Sequence, residues 1–384
     1  MRLKATTALL LFAMTMAACG AEETGPTGIA DLNVTSWGPD IVLQGSRLLL
    51  EGDGFVPTQV GEMSVRIEGE IGGKKIDHSA PLQVTDDNLA WWEVDAGFIA
   101  QTVAYETPFT GTITISRKIL GYSVTDRFTL PVTLLVRRNL TPTLSDITPD
   151  GVYVGDSLQV QATDLLLPGE GQSLLVLNGD FIVASPPMTR PLHGVVIPLT
   201  AQSRTRASFT LAPDKFGINP GDFVGEGTLE NYTSGSEAMP SVPLTDLAIH
   251  VYSPVIDEFS PETVRRGQRV SVSGRGFVPT DAVGESATLV QLEGIFKTAA
   301  GKEISYQGNN AMLLFPEAID GNTGLEVVLR VTVGVDGALE GLGLIPGTFM
   351  GTAYPELFFG SESIVGQGLD FALTAALQLL IVYV

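Results

Sequence analysis

Cysteine is almost absent from this 384-residue chain: there is one, Cys19, so no disulfide can form within it. Basic residues are also scarce, with 22 Lys and Arg against 43 Asp and Glu and a formal net charge of −21. Such a chain offers no basic footprint for nucleic acid and is repelled by anionic lipid surfaces. The three histidines, His78, His193 and His250, lie more than 50 residues apart. Zinc needs three or four converging nitrogen or sulfur ligands, so they make no metal-site pattern, and no cofactor is expected. Neither a Gly-x-x-x-x-Gly-Lys-Ser/Thr phosphate loop nor a strand-following Gly-x-Gly-x-x-Gly occurs. Charged residues reach only 17%, and no segment sustains a capped apolar stripe of helical period.

What the chain has is glycine (43), proline (23) and 44% hydrophobic residues. That mixture suits short strands joined by many turns around packed cores. At roughly 100–200 residues per domain, the length suggests two to four domains.

The N-terminus reads as an address. Met1-Arg2-Leu3-Lys4 is basic, and residues 5–18 are apolar with threonine as the only polar type. The run is too short for a permanent membrane span, and small residues follow, as in a secretory signal. Met16-Ala17-Ala18-Cys19 resembles the lipobox of bacterial lipoproteins, in which the peptidase cuts before a cysteine that is then lipidated. Met16 stands where that pattern prefers leucine. The resemblance implies a signal peptide over 1–18, a membrane attachment at Cys19 and a tether over 19–31. Loss of Arg2 and Lys4 would take the net charge from −21 to −23. Gly20, where many inner-membrane lipoproteins carry aspartate, implies outer-membrane delivery by analogy.

One unit occurs three times. Pro39, Pro149 and Pro261 line up, as do Gly45, Gly155 and Gly267, with spacings of 110 and 112 residues. Leu48, Leu158 and Val270 keep the same spacings. Ile67-Glu68-Gly69 is echoed by Leu177-Asn178-Gly179 and Leu292-Glu293-Gly294. Each unit closes on an apolar run, at 130–136, 244–251 and 373–384. Within the units the period is two. Leu48 and Leu50, Leu158 and Val160, and Val270 and Val272 alternate with mostly polar neighbours, as a strand with one buried face does. Further strands are expected at 64–71, 111–119, 206–211 and 325–333. A period near 110 residues is the size of a small domain, and several strands per period predict a two-sheet sandwich.

Proline, glycine, alternating apolar residues and then Gly-x-Gly-Phe resemble the IPT/TIG family of immunoglobulin-like domains. Repeats one and three carry the motif whole, as Gly52-Asp53-Gly54-Phe55 and Gly274-Arg275-Gly276-Phe277. Repeat two has Ala162-Thr163-Asp164-Leu165 instead, so its loop is expected to differ. The resemblance implies an all-β chain of three tandem immunoglobulin-like β-sandwiches, over 32–139, 140–254 (degenerate motif) and 255–384. It also implies binding, adhesion or spacing rather than catalysis. A fold of this kind names no ligand.

Gly155-Asp156-Ser157-Leu158 matches the nucleophile block of GDSL-type ester hydrolases, but it aligns with the strand starts Gly45-Ser46-Arg47-Leu48 and Gly267-Gln268-Arg269-Val270. That chemistry also needs an oxyanion hole and an Asp-x-x-His base; Asp246 and His250 are one residue too far apart. Hydrolysis at Ser157 is the remote reading. Asp86, Asp87 and Asn88, with Asp95 nearby, read as a solvated acidic turn rather than a calcium loop, since the EF-hand pattern is missing.

In residues 88–94 alternation puts Ala90, Trp92 and Val94 on the core face and Trp91 outside. An exposed tryptophan can stack on a sugar or anchor an interface. A Gly-rich stretch over 334–351 carries Leu342 and Leu344, candidate ligand contacts on an apolar loop. The last 14 residues, 371–384, are apolar but shorter than the roughly 20 a spanning helix needs. Residues 373–384 are read as the closing strand of the third sandwich. The expected protein is thus a lipid-anchored cell-envelope binder, with an envelope protein or polysaccharide as partner. The alternative is a glycan-binding accessory lipoprotein using Trp91.

Overall fold

The computed structural model describes residues 29–101, 108–122, 125–233, 238–264, 269–279, 286–320, 322–328 and 347–375. Cys19, the signal segment, Leu342, Leu344 and residues 376–384 lie outside them. The chain is all-β, and each repeat is a pair of facing sheets.

In the first repeat the strands are β1 (Asn33–Gly38), β2 (Ile41–Val42), β3 (Arg47–Asp53), β4 (Gly61–Ile71), β5 (Lys74–Pro81), β6 (Gln83–Val84) and β7 (Leu89–Glu93). After the short helix α1 (Ala96–Gln101) come β8 (Pro108–Ile119) and β9 (Thr125–Val136). One sheet runs β1-β3-β7-β6 and the other β2-β9-β8-β4-β5. The chain crosses between sheets at the cis Gly38-Pro39 bond. Beyond it β2 runs parallel to β9, pairing Val42 with Val136. A proline suits this crossing because it has no N–H to give a ladder.

The other repeats reproduce this plan. Arg47–Asp53, Ser157–Thr163 and Arg269–Arg275 each bury alternate residues. The crossings at Thr148-Pro149 and Ser260-Pro261 are also cis. Each repeat closes on a strand that pairs in parallel with the short segment after its proline: Thr125–Val136, Leu244–Val251 and Leu369–Ala375. The third starts at Leu369, before the expected 373, because register with Gly347–Phe359 begins at Leu369↔Ala353. Leu373 is fully buried there. The other expected strands run Gly61–Ile71, Pro108–Ile119, Arg206–Thr210 and Gly324–Val328. Helix α1, which buries Phe98, carries no sequence signal strong enough to predict it.

The loop expected to differ in repeat two keeps its backbone. Ala162 faces Leu144 as Gly52 faces Val34 and Gly274 faces Ile256, each beside the same register shift. Asp164 has φ 57°, where Gly54 and Gly276 have φ 78°. Aspartate is among the few non-glycine residues that tolerate the left-handed region, so the turn survives the loss of its glycine. The apolar residue after it is buried in all three cases: Phe55, Leu165 and Phe277.

Two compact units result, Met1–Arg137 and Arg138–Val384. The second holds two sandwiches with a shared core. Val278 and Leu357 of the third repeat join the cluster of the second, and Phe359 and Ile364 pack against it. Register explains this. Arg117 lies opposite Met63 and Asn231 opposite Ser173, but the matching position opposite Thr288 is Leu357. A polar side chain there can close its own sandwich with hydrogen bonds, whereas leucine gains only by being covered.

Candidate functional site

Strand β7 places the two tryptophans as alternation requires. Trp92 is 1% exposed and meets Phe98 edge-on at 5.2 Å. Trp91 points outward, in register with Leu49 and Gln83. It is half-buried, because the Arg47 guanidinium lies over its ring, 4.5 Å from the centroid. One face of the indole is therefore engaged by a cation.

Asp95 does not join the acidic turn. Its Oδ1 accepts the Phe98 N–H at 2.9 Å and starts α1, while Oδ2 lies 2.8 Å from His78 Nε2. Burial pushes the Asp95 carboxyl upward, but the Phe98 N–H, His78 and the Gly97 N–H together hold it below its ordinary 3.8. Asp86 accepts the Asn88 N–H, and Asn88 Nδ2 donates to Gly52 O and Asp53. The turn thus binds itself together. Among the described residues no group of three or more His, Cys, Asp or Glu is placed to hold a metal.

Ser157 opens its strand, exposed, after Gly155 at φ 90°. Asp156 accepts the Tyr153 N–H at 2.8 Å and Asn322 Nδ2 at 2.6 Å. His250 is engaged by Asp222, 2.6 Å from its Nδ1. Among the described residues, no hydrogen bond joins the Ser157 side chain to a base. His193 is exposed on its strand.

Two clefts stand out. One, of about 440 Å³ in the second repeat, is lined by Asp146, Asp150, Asp222, Asp246 and His250. The larger, of about 800 Å³, lies in the first sandwich, bordered by Thr58, Pro81, Gln83 and Val84. Its polar floor is the outer face of the five-stranded sheet. One row there pairs Ser64 with Ser116 and Ser116 with Arg127; the next pairs Glu62 with Lys118 and Lys118 with Thr125. Lys118 and Arg127 sit on the diagonal of adjacent strands, about 7–8 Å apart. Neither forms an ion pair among the described residues. This grouping is not legible in the sequence, since three separated strands supply it and only their register brings the side chains together.

No family model matches the chain, and no curated protein matches it. Solved structures similar to it include the Plexin A4 full extracellular region, at 8% identity over 89% of this chain and 33% of that one, with TM-score 0.28. The chain thus spans about a third of the plexin's length. Others are the chicken CNTN1 FN1-FN3 domains (10% identity, 91% and 99% coverage, TM-score 0.19) and a protein solved with a xylogluco-oligosaccharide (12% identity, 88% and 59% coverage, TM-score 0.21). Likeness at this level transfers no ligand or partner.

Proposed function

We propose that the chain is a lipid-anchored bacterial cell-envelope protein whose three IPT/TIG-like sandwiches bind or space other envelope components, without catalysis of its own. The observation that carries this is the threefold repetition of one sandwich, behind a leader-like segment ending at the single cysteine. In this reading residues 1–18 are removed, Cys19 carries the lipid, and residues 20–31 tether the first sandwich to the outer membrane. One acyl chain holds a protein only marginally, so the anchor is multiply acylated. The partner is an envelope protein or polysaccharide. The catalytic alternative gains nothing from Ser157, whose neighbour Asp156 is committed to two structural hydrogen bonds.

A second reading, a glycan-binding accessory lipoprotein, is favoured by the hydroxyl-lined cleft of the first sandwich. The anchor that both readings share is tested by fractionating cells that express wild type or Cys19→Ser. Wild type is expected in the envelope fraction and the variant in the soluble one. Equal distribution of the two would contradict the anchor.

A further inference from the structure

We infer that the large cleft of the first sandwich is a binding site for an acidic oligosaccharide, of the uronate type, with Lys118 and Arg127 receiving its carboxylates. This deepens the reading of the chain as an envelope binder and rests on it.

The argument begins with charge. In a chain of net charge −21, this floor carries two exposed cations against one carboxylate, Glu62. Some of the exposed cations are already neutralised by acidic neighbours. Arg66, one row further along β4, meets both Glu68 and Asp77. Lys118 and Arg127 have no such pairing among the described residues, so their donors are free for an anion. An Arg guanidinium takes a carboxylate in two parallel hydrogen bonds, and a lysine answers as a point charge.

The floor between them determines the class of anion. Ser64 and Ser116 face each other across β4 and β8, and Thr125 lies beside Lys118. Adjacent strands stand about 4.8 Å apart, so these hydroxyls form a regular polar lattice. Each both donates and accepts, matching the ring hydroxyls of a sugar. The lining has no aromatic residue to anchor a peptide, and its apolar members Val56, Met63 and Leu82 are themselves buried, which leaves the hydroxyls and the two cations as the groups a ligand meets. The hydroxyls and cations are spread over three adjacent strands, β4, β8 and β9, which suits a chain of pyranoses lying across them.

The test is titration calorimetry of the full chain in detergent, using an oligogalacturonate, a neutral malto-oligosaccharide and polyglutamate as probes. Wild type should bind the uronate best, and more weakly as salt is raised. The Lys118→Gln/Arg127→Gln double variant should lose about tenfold or more in affinity, since two charge-assisted contacts go. Ser64→Ala/Ser116→Ala should weaken uronate binding with the charges intact. All four positions are outward-facing, so melting transitions should match wild type. No uronate binding, equal binding by the double variant, or preference for polyglutamate or the neutral sugar would overturn the proposal. Fractionating the double variant separates the two claims: if it stays in the envelope and binds uronate as tightly as wild type, the site is wrong and the anchored reading stands.

Discussion

Asn322 Nδ2 donates to Asp156 Oδ1 at 2.6 Å, tying the third sandwich to the second. Around this bond the Arg275 guanidinium lies over Tyr153, 5.0 Å from its centroid. Asn219 meets Glu362 at 3.2 Å. At Gly155 an added Cβ would come within 2.8 Å of the Asn322 Cβ. With Leu357 inserted in the second core, the joint is apolar at its centre and polar at its rim, as in a stable interface.

Asn322→Ala should therefore loosen the joint without unfolding either sandwich. Small-angle scattering of residues 138–384 should show a broader distance distribution, and the melting midpoint should fall, reflecting about 1–2 kcal/mol. Ser157→Ala, one residue beyond the bond, should change neither. An unchanged scattering profile for Asn322→Ala would mean that the hydrogen bond does not hold the joint.

Arg117 and Asn231 do the same work with different chemistry. Arg117 Nη1 donates to Ala30 O and Gly54 O, both at 2.7 Å. Asn231 Nδ2 donates to the corresponding Leu140 O at 2.9 Å and Asp164 O at 2.8 Å. Both side chains are buried. Arg117→Ala strands two carbonyls and the Asp126 carboxylate, and should cost about 2–4 kcal/mol, read from the urea midpoint. Asn231→Ala should fall at the lower end of that range. A loss below about 0.5 kcal/mol for either would show that water replaces these bonds.

The backbone at Asp164 sets a different expectation. Asp164→Gly should be neutral or mildly stabilising, because φ 57° carries no penalty for glycine. Asp164→Val should cost about 1–3 kcal/mol, since a β-branched residue is strained there. Gly54→Ala should also destabilise, because its Cβ would lie 2.6 Å from Ala30 O. Equal melting points for the Gly and Val variants would contradict the shared-turn reading.

Asp95 gives the first sandwich a pH dependence of definite sign. Its folded-state pKa lies below the ordinary 3.8. Its contribution is therefore complete above that value and is lost as pH falls through the lower, folded-state pKa. Urea midpoints of wild type and Asp95→Asn, measured from pH 6 down to pH 2, should differ most at pH 6 and converge at the acid end. A gap that widens as pH falls would reverse the sign and refute the assignment.

The strands with one wet face were legible because a period of two survives in short segments such as 47–53 and 157–163. The proline and glycine spacings revealed the repeats. The turn at Asp164 is not legible in the sequence, because its backbone is set by the Leu144↔Ala162 pairing, a long-range fact, while the sequence shows only the missing glycines. Trp91 could be placed outside, but Arg47 above it could not, since β3 and β7 meet only in the sheet. The Ser64–Ser116–Arg127 row was hidden for the same reason. Leu357 reads as one more apolar strand residue until register sets it where the other repeats hold Arg117 and Asn231.

The central claim is attachment through Cys19, and metabolic labelling with radioactive palmitate tests it most directly. Wild type should incorporate label and begin at Cys19 by mass spectrometry of its N-terminal peptide. The Cys19→Ser variant should incorporate none and leave the membrane fraction. Label on Cys19→Ser, or an unmodified wild-type N-terminus, would contradict the account.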